Sequence, residues 1–122
     1  MNKNIIFFDV ETNGKIGSSV LSISAIKVNY NFDTDKWIKI SEYDRFYFRN
    51  EGEPIDFGAI NVHGLTDEMI TEKRQGVDYP ATFKEDMDDF FLYCQDTSHF
   101  VAHNIRFDRS FISFPLISSV SL

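Results

Sequence analysis

Residues 5–12 read Ile5-Ile6-Phe7-Phe8-Asp9-Val10-Glu11-Thr12, and this stretch decides the fold. Up to Val10 it is apolar at both parities except for Asp9, the pattern of a central strand covered on both faces. Asn13-Gly14 follows as a turn signal, and Val20 to Val28 reads as a second strand with Leu21, Ile23 and Ala25 on one side. From Trp37 to Arg49, Phe46 and Phe48 alternate with Arg45, Tyr47 and Arg49, which predicts a third strand with one wetter face. These three strands are expected to form an antiparallel meander.

Glu51 to Gln75 is punctuated by Pro54, Gly58 and Gly64 and predicts short helical pieces on the surface. Between Ala81 and Cys94, Phe83, Met87, Phe90, Phe91 and Cys94 recur at helical spacing, with Glu85, Asp86, Asp88 and Asp89 assigned to the other faces. Phe100 to Ala102 fits a short buried strand. Phe107, Phe111 and Phe114, spaced by four and three, predict a second helix. The expected architecture is therefore α/β, with the meander followed by helix, strand and helix, the later strand parallel to the first.

With 122 residues and a hydrophobic share of 43%, the chain has the size and core of one domain. A single cysteine, Cys94, excludes an internal disulfide, and no signal segment opens the sequence; a reducing, cytoplasmic setting is expected. No stretch is apolar enough over about 20 residues to span a bilayer. A net charge of −7 argues against binding nucleic acid through a broad basic surface, which needs many cations. Bound metal cations can nevertheless let an acidic cleft accept a phosphate.

Asp9 and Glu11 are two apart on a strand, so both side chains leave one face while Val10 leaves the other. Two carboxylates in one small volume repel unless a hard cation joins them, and an oxygen donor set suits Mg²⁺ or Mn²⁺. Asp-x-Glu alone is a weak signal, expected about 0.4 times by chance in a chain of this length. Its position after four apolar residues strengthens it, because open α/β sheets place ligands at the carboxyl ends of strands. Asp108, where the predicted last strand passes into a helix, could complete a three-acid cluster for two ions. As an isolated feature it would read more readily as a first-turn aspartate favoured by the helix dipole.

Three segments in order, Phe8-Asp9-Val10-Glu11-Thr12-Asn13-Gly14, Val62-His63-Gly64-Leu65-Thr66, and Ala102-His103-Asn104 with Phe107-Asp108, resemble the DEDD exonucleases, the DnaQ-like proofreading family, in its DEDDh subclass. The resemblance covers about Ile5 to Phe111. It implies a ribonuclease-H-like mixed sheet and 3′-to-5′ hydrolysis of terminal phosphodiester bonds of DNA or RNA, with a DNA polymerase subunit among the implied partners. Carried over, Asp9 would bridge two Mg²⁺ or Mn²⁺ ions, Glu11 would bind one and Asp108 the other. Thr12 would lie beside the terminal nucleotide and His63 would line the approach to it. His103 and Asn104 would be structural, and His99 has no matching role.

The subclass places a general-base histidine shortly before a fourth metal-binding aspartate. No Asp, Glu or His follows Asp108 in this sequence, and the last 13 residues carry no charge and five serines. The expected organisation is therefore the N-terminal part of an exonuclease domain over 1–112, C-terminally incomplete, with an atypical tail over 113–122 of truncated or frameshifted origin. Two alternatives stand beside a catalytic chain: a non-catalytic module that binds nucleic acid or a partner, and an inactive fragment with an exposed sheet edge.

Overall fold

The computed structural model describes residues 1–15, 17–102 and 118–121. Three strands come first: β1 (Asn2–Thr12), β2 (Val20–Asn31) and β3 (Lys36–Phe46). Each is antiparallel to the one before it. Three helices follow, α1 (Phe57–His63), α2 (Asp67–Lys73) and α3 (Phe83–Cys94), and then β4 (His99–Ala102) and β5 (Ser118–Ser121). The sheet order is β3-β2-β1-β4-β5, with β4 parallel to β1 and β5 parallel to β4.

The expected α/β sheet is therefore present, and β1 is its central strand. The helix predicted around Phe107 lies outside the described residues. The uncharged tail, set apart from the fold by its composition, contributes backbone to the sheet as β5.

Each helix starts where its sequence supplies a side-chain acceptor for an otherwise unpaired backbone N–H. Asp56 accepts from Ala59, Thr66 from Met69 and Thr82 from Glu85. Thr82 also donates to the Glu85 carboxylate at 2.8 Å. Helix α1 ends at Gly64, whose φ of +70° is a left-handed conformation that glycine adopts without steric cost.

The core lies between α3 and the even-numbered face of β1. Ile6, Phe8 and Val10 pack there with Ile23, Ala25, Tyr43, Tyr47, Phe83, Phe90 and Phe100. Two expectations need correction. The drier parity at the end of the third strand belongs to Tyr47, which is fully buried, whereas Phe46 and Phe48 pack at the rim of a smaller cluster with Leu21, Leu65 and Ile70. And Asp86 does not lie on a solvated face of α3: it is buried, accepting from the Tyr47 hydroxyl at 2.7 Å and pairing with Arg45 at 2.7 Å. Counting apolar positions could not reveal a carboxylate whose partners come from a distant strand.

Candidate active site

Strand β1 carries Asp9 and Glu11 on the face away from α3. Their strand partners are Ser24 and Ser22, small residues that leave room above the sheet. Between Glu11 and Thr12 the pairing with β2 slips by one residue, from Ser22 to Val20. Such bulges bend a strand and re-aim its side chains, and here the bend falls at the second carboxylate.

Asp9 is exposed and Glu11 half-buried. Neither carboxylate makes an ion pair or side-chain hydrogen bond among the described residues. Burial, and then the charge of Asp9, push the Glu11 carboxyl above its ordinary value. A pair of hard oxygen donors without an ion pair among the described residues fits a divalent cation, whose charge would reverse that effect. Among the described residues these two have no third His, Cys, Asp or Glu close enough to complete a metal-binding group. Asp108, His103 and Asn104 lie outside the described residues.

Beside Glu11 opens a cleft of about 200 Å³ lined by Val10, Glu11, Thr12, Gly14, Ala59, Val62 and His63. The two substrate-binding residues expected from the sequence, Thr12 and His63, thus meet in one cavity with Glu11. His63 is held at both ring nitrogens. Its Nδ1 accepts from the Leu65 backbone N–H at 3.0 Å, so Nε2 carries the proton and donates to the Thr12 carbonyl at 2.8 Å. His63 is therefore both a turn residue and a wall of the cleft, and neither nitrogen is free to take a proton from water.

The sequence reading missed the group that joins α1 to the end of β1. Asn13, read only as part of a turn, is buried, and its amide is fully used. Nδ2 donates to Glu53 at 2.6 Å and to the Pro54 carbonyl at 2.8 Å, while Oδ1 accepts from the Asp56 N–H at 3.0 Å. Glu53 also accepts from the Ser19 backbone N–H with both oxygens at 3.1 Å. Gly14 follows at φ +103°, and a Cβ there would lie 2.6 Å from an Asp56 carboxylate oxygen. Only glycine allows the close approach of this turn to the start of α1. Asparagine before glycine was the available signal, but its partners lie 40 or more residues away.

With this geometry in place, the comparisons decide the family. The exonuclease model of the RNase T type matches residues 6–117. The chain belongs to the DnaQ-like 3′–5′ exonuclease family. Among its relatives, the PolC-type DNA polymerase III of Bacillus cereus is 30% identical over 110 residues, covering 88% of this chain and 7% of that protein. The DNA polymerase III subunit epsilon of Buchnera aphidicola is 28% identical over 119 residues, covering 91% and 44%. The chain thus spans only a small part of its PolC-type relatives. Solved structures agree on the fold. Exonuclease X in complex with 5′ overhanging duplex DNA gives a TM-score of 0.61 at 19% identity, covering 96% of this chain and 58% of that one. Escherichia coli exonuclease I in complex with a dT13 oligonucleotide gives 0.67 at 16%, covering 89% and 22%.

Proposed function

We propose that this chain engages the 3′ end of DNA or RNA and contributes Asp9, Glu11 and Asp108 to a Mg²⁺- or Mn²⁺-dependent centre that hydrolyses the terminal phosphodiester bond. The observation that carries this reading is the pair of same-face carboxylates at the end of β1, neither in an ion pair or side-chain hydrogen bond among the described residues, with Glu11 lining a cleft. Divalent cations in such a centre supply a nucleophilic water at neutral pH and stabilise the charge on the scissile phosphate. The chain's own residues bind and orient. Asp9 and Glu11 hold the cations, Thr12 lies beside the terminal nucleotide, and Ala59, Val62 and His63 form an apolar wall with one polar tip, suited to a sugar and base. His63, with both nitrogens engaged, positions the wall rather than moving a proton. A DNA polymerase subunit is the proposed protein partner, on the strength of the polymerase III relatives.

A second reading, a module that binds a strand end without cleaving it, is favoured by one observation: among the described residues, no third His, Cys, Asp or Glu completes a metal-binding group with Asp9 and Glu11. Calorimetric titration with Mn²⁺ and a short single strand, followed by an assay for released nucleotides, separates the two. The exonuclease reading expects Mn²⁺-dependent binding and nucleotide release, both abolished in Asp9→Ala. Binding without release, lost in Asp9→Ala, assigns the binding module. Undiminished Mn²⁺ affinity in Asp9→Ala overturns both.

A further inference from the structure

The face of the sheet that carries Asp9 and Glu11 also carries a row of aromatic rings. By strand parity Phe7 stands on that side, next to Asp9. Pairing sets Ile26 beside Phe7, Tyr30 beside Lys3, and Trp37 beside Tyr30 in turn. The rings pack on one another: the centroids of Phe7 and Trp37 are 6.1 Å apart, those of Trp37 and Tyr30 4.2 Å, and those of Tyr30 and Phe32 4.6 Å. Yet the cluster is not a closed core, since Ile26, Phe32 and Trp37 are 42%, 49% and 52% exposed. Rings that already hold one another in place lose little further freedom when a ligand covers them.

Two features indicate what covers them. The first is continuity with the carboxylates. From Asp9 back to Lys3 the strand runs about 20 Å, at about 3.3 Å per residue, and Ser24 and Ile26 are exposed beside that path. A strand whose end lies at Asp9 and Glu11 and follows β1 towards its start passes Phe7 and reaches Tyr30 and Trp37. That span matches about six nucleotides at a stacked rise of about 3.4 Å. The second feature is charge. Around the rings Asp33 is paired with the amino terminus and Glu42 with Lys39. Asp35 accepts from the Tyr30 hydroxyl. Against that one remaining carboxylate stand Lys3, beside Tyr30, and Lys36, next to Trp37, neither in an ion pair among the described residues. Two cations beside exposed rings suit bases joined by phosphates, and they need no broad basic surface, which a chain of net charge −7 lacks.

We propose that Phe7, Tyr30, Phe32 and Trp37 form a stacking platform for an unpaired nucleic-acid strand, holding bases that lie upstream of the terminal nucleotide. The direction of the strand rests on the reading of Asp9 and Glu11 as the place of its 3′ end. The stacking itself needs no metal, and it is tolerant of sequence because every base has a π-face.

Trp37 is the single tryptophan of the sequence, so the fluorescence of the full chain reports on the platform directly. In metal-free buffer, where the carboxylates neither hold a strand end nor cut it, a ten-residue oligothymidylate should quench Trp37. A blunt duplex of the same length, whose bases are already stacked, should not. By anisotropy with a labelled strand, Trp37→Ala should bind about tenfold more weakly, whereas Trp37→Phe, which keeps a ring against Tyr30, should bind nearly as the wild type does. Lys3→Gln/Lys36→Gln should flatten the salt dependence of binding. Asp9→Ala should retain the quenching in full, so the platform is tested apart from the metal centre. Absence of quenching by the single strand overturns the proposal, even where nucleotide release is intact. So do equal quenching by the duplex, undiminished binding by Trp37→Ala, equal losses in the alanine and phenylalanine variants, and a Trp37 signal that changes with protein concentration alone, which would mean that a second copy covers the rings.

Discussion

The two faces of the sheet each hold a pair of nearby carboxylates, and they treat them in opposite ways. On the α3 face, Asp86 is buried but accepts from the Tyr47 hydroxyl and from Arg45, and Asp89 pairs with the same guanidinium at 3.1 Å. On the other face, Asp9 and Glu11 lie on one strand with no ion pair and no hydrogen-bond donor to either carboxylate among the described residues, and the nearby His63 only partly offsets the rise in the Glu11 carboxyl. Desolvation raises the cost of any charge, so a carboxylate needed for packing is matched within the fold. A carboxylate left unmatched at a strand end beside a cleft is available to a ligand. Burial and hydrogen-bonding, rather than the count of acidic residues, separate the pair matched within the fold from the pair left open to a ligand.

The comparison breaks most visibly at Asp86. Replacing it with alanine takes the carboxylate acceptor from the Tyr47 hydroxyl and leaves the Arg45 guanidinium with the more exposed Asp89 alone, and should cost about 3 kcal/mol in urea unfolding. A loss below about 1 kcal/mol would mean that the network is not what neutralises this face. At Asn13, which ties the site side together, alanine leaves the Pro54 carbonyl and the Asp56 N–H without their partner and Glu53 with only the Ser19 N–H, with an expected loss of about 2 kcal/mol. The same variant should weaken strand-end binding more than its stability loss explains, as read by oligonucleotide anisotropy in Mn²⁺ on the folded protein.

Smaller, and opposite in sign, is the effect of Glu11→Gln. The Glu11 carboxyl is raised in the folded protein, so protonation favours the fold. Its contribution is fully present below the ordinary value of 4.5 and is lost as pH rises through the raised one. In metal-free buffer at neutral pH, Glu11→Gln should therefore stabilise the protein slightly, by about 0.5 kcal/mol after allowing for solvent screening. The gain should vanish near pH 4. Thermal melts at the two pH values decide this, and a loss of stability at neutral pH would show that Glu11 has a donor after all. Added Mn²⁺ should reverse the ranking, raising the melting temperature of the wild type above that of the variant.

Much of the fold was legible in the sequence because it rests on local pattern. The apolar run before Asp9 marks a central strand, and the spacing of Phe83, Met87, Phe90 and Cys94 marks the helix above it. The same-face placement of Asp9 and Glu11 follows from strand geometry alone. The meeting of Thr12 with His63 was legible only through a family resemblance. What periodicity could not show were the long-range polar contacts: the buried Asp86, the inward Tyr47, and the Asn13–Glu53–Asp56 group. Those residues look hydrophilic or turn-forming one at a time, and their burial is decided by partners about 40 residues distant.

Helix α1 has a further consequence for the cleft it walls. It is seven residues long and contains no buried residue, so no hydrophobic face anchors it. Helices this short are marginal by themselves. It is suspended at its start from Asn13 and Asp56 and at its end from His63 and Thr12. Its amides should therefore exchange with solvent far sooner than those of β1 or α3, through an opening that leaves the core intact. The cleft would then behave as a hinged bracket on a rigid plate: its floor set by the sheet, and its wall able to swing without unfolding anything else.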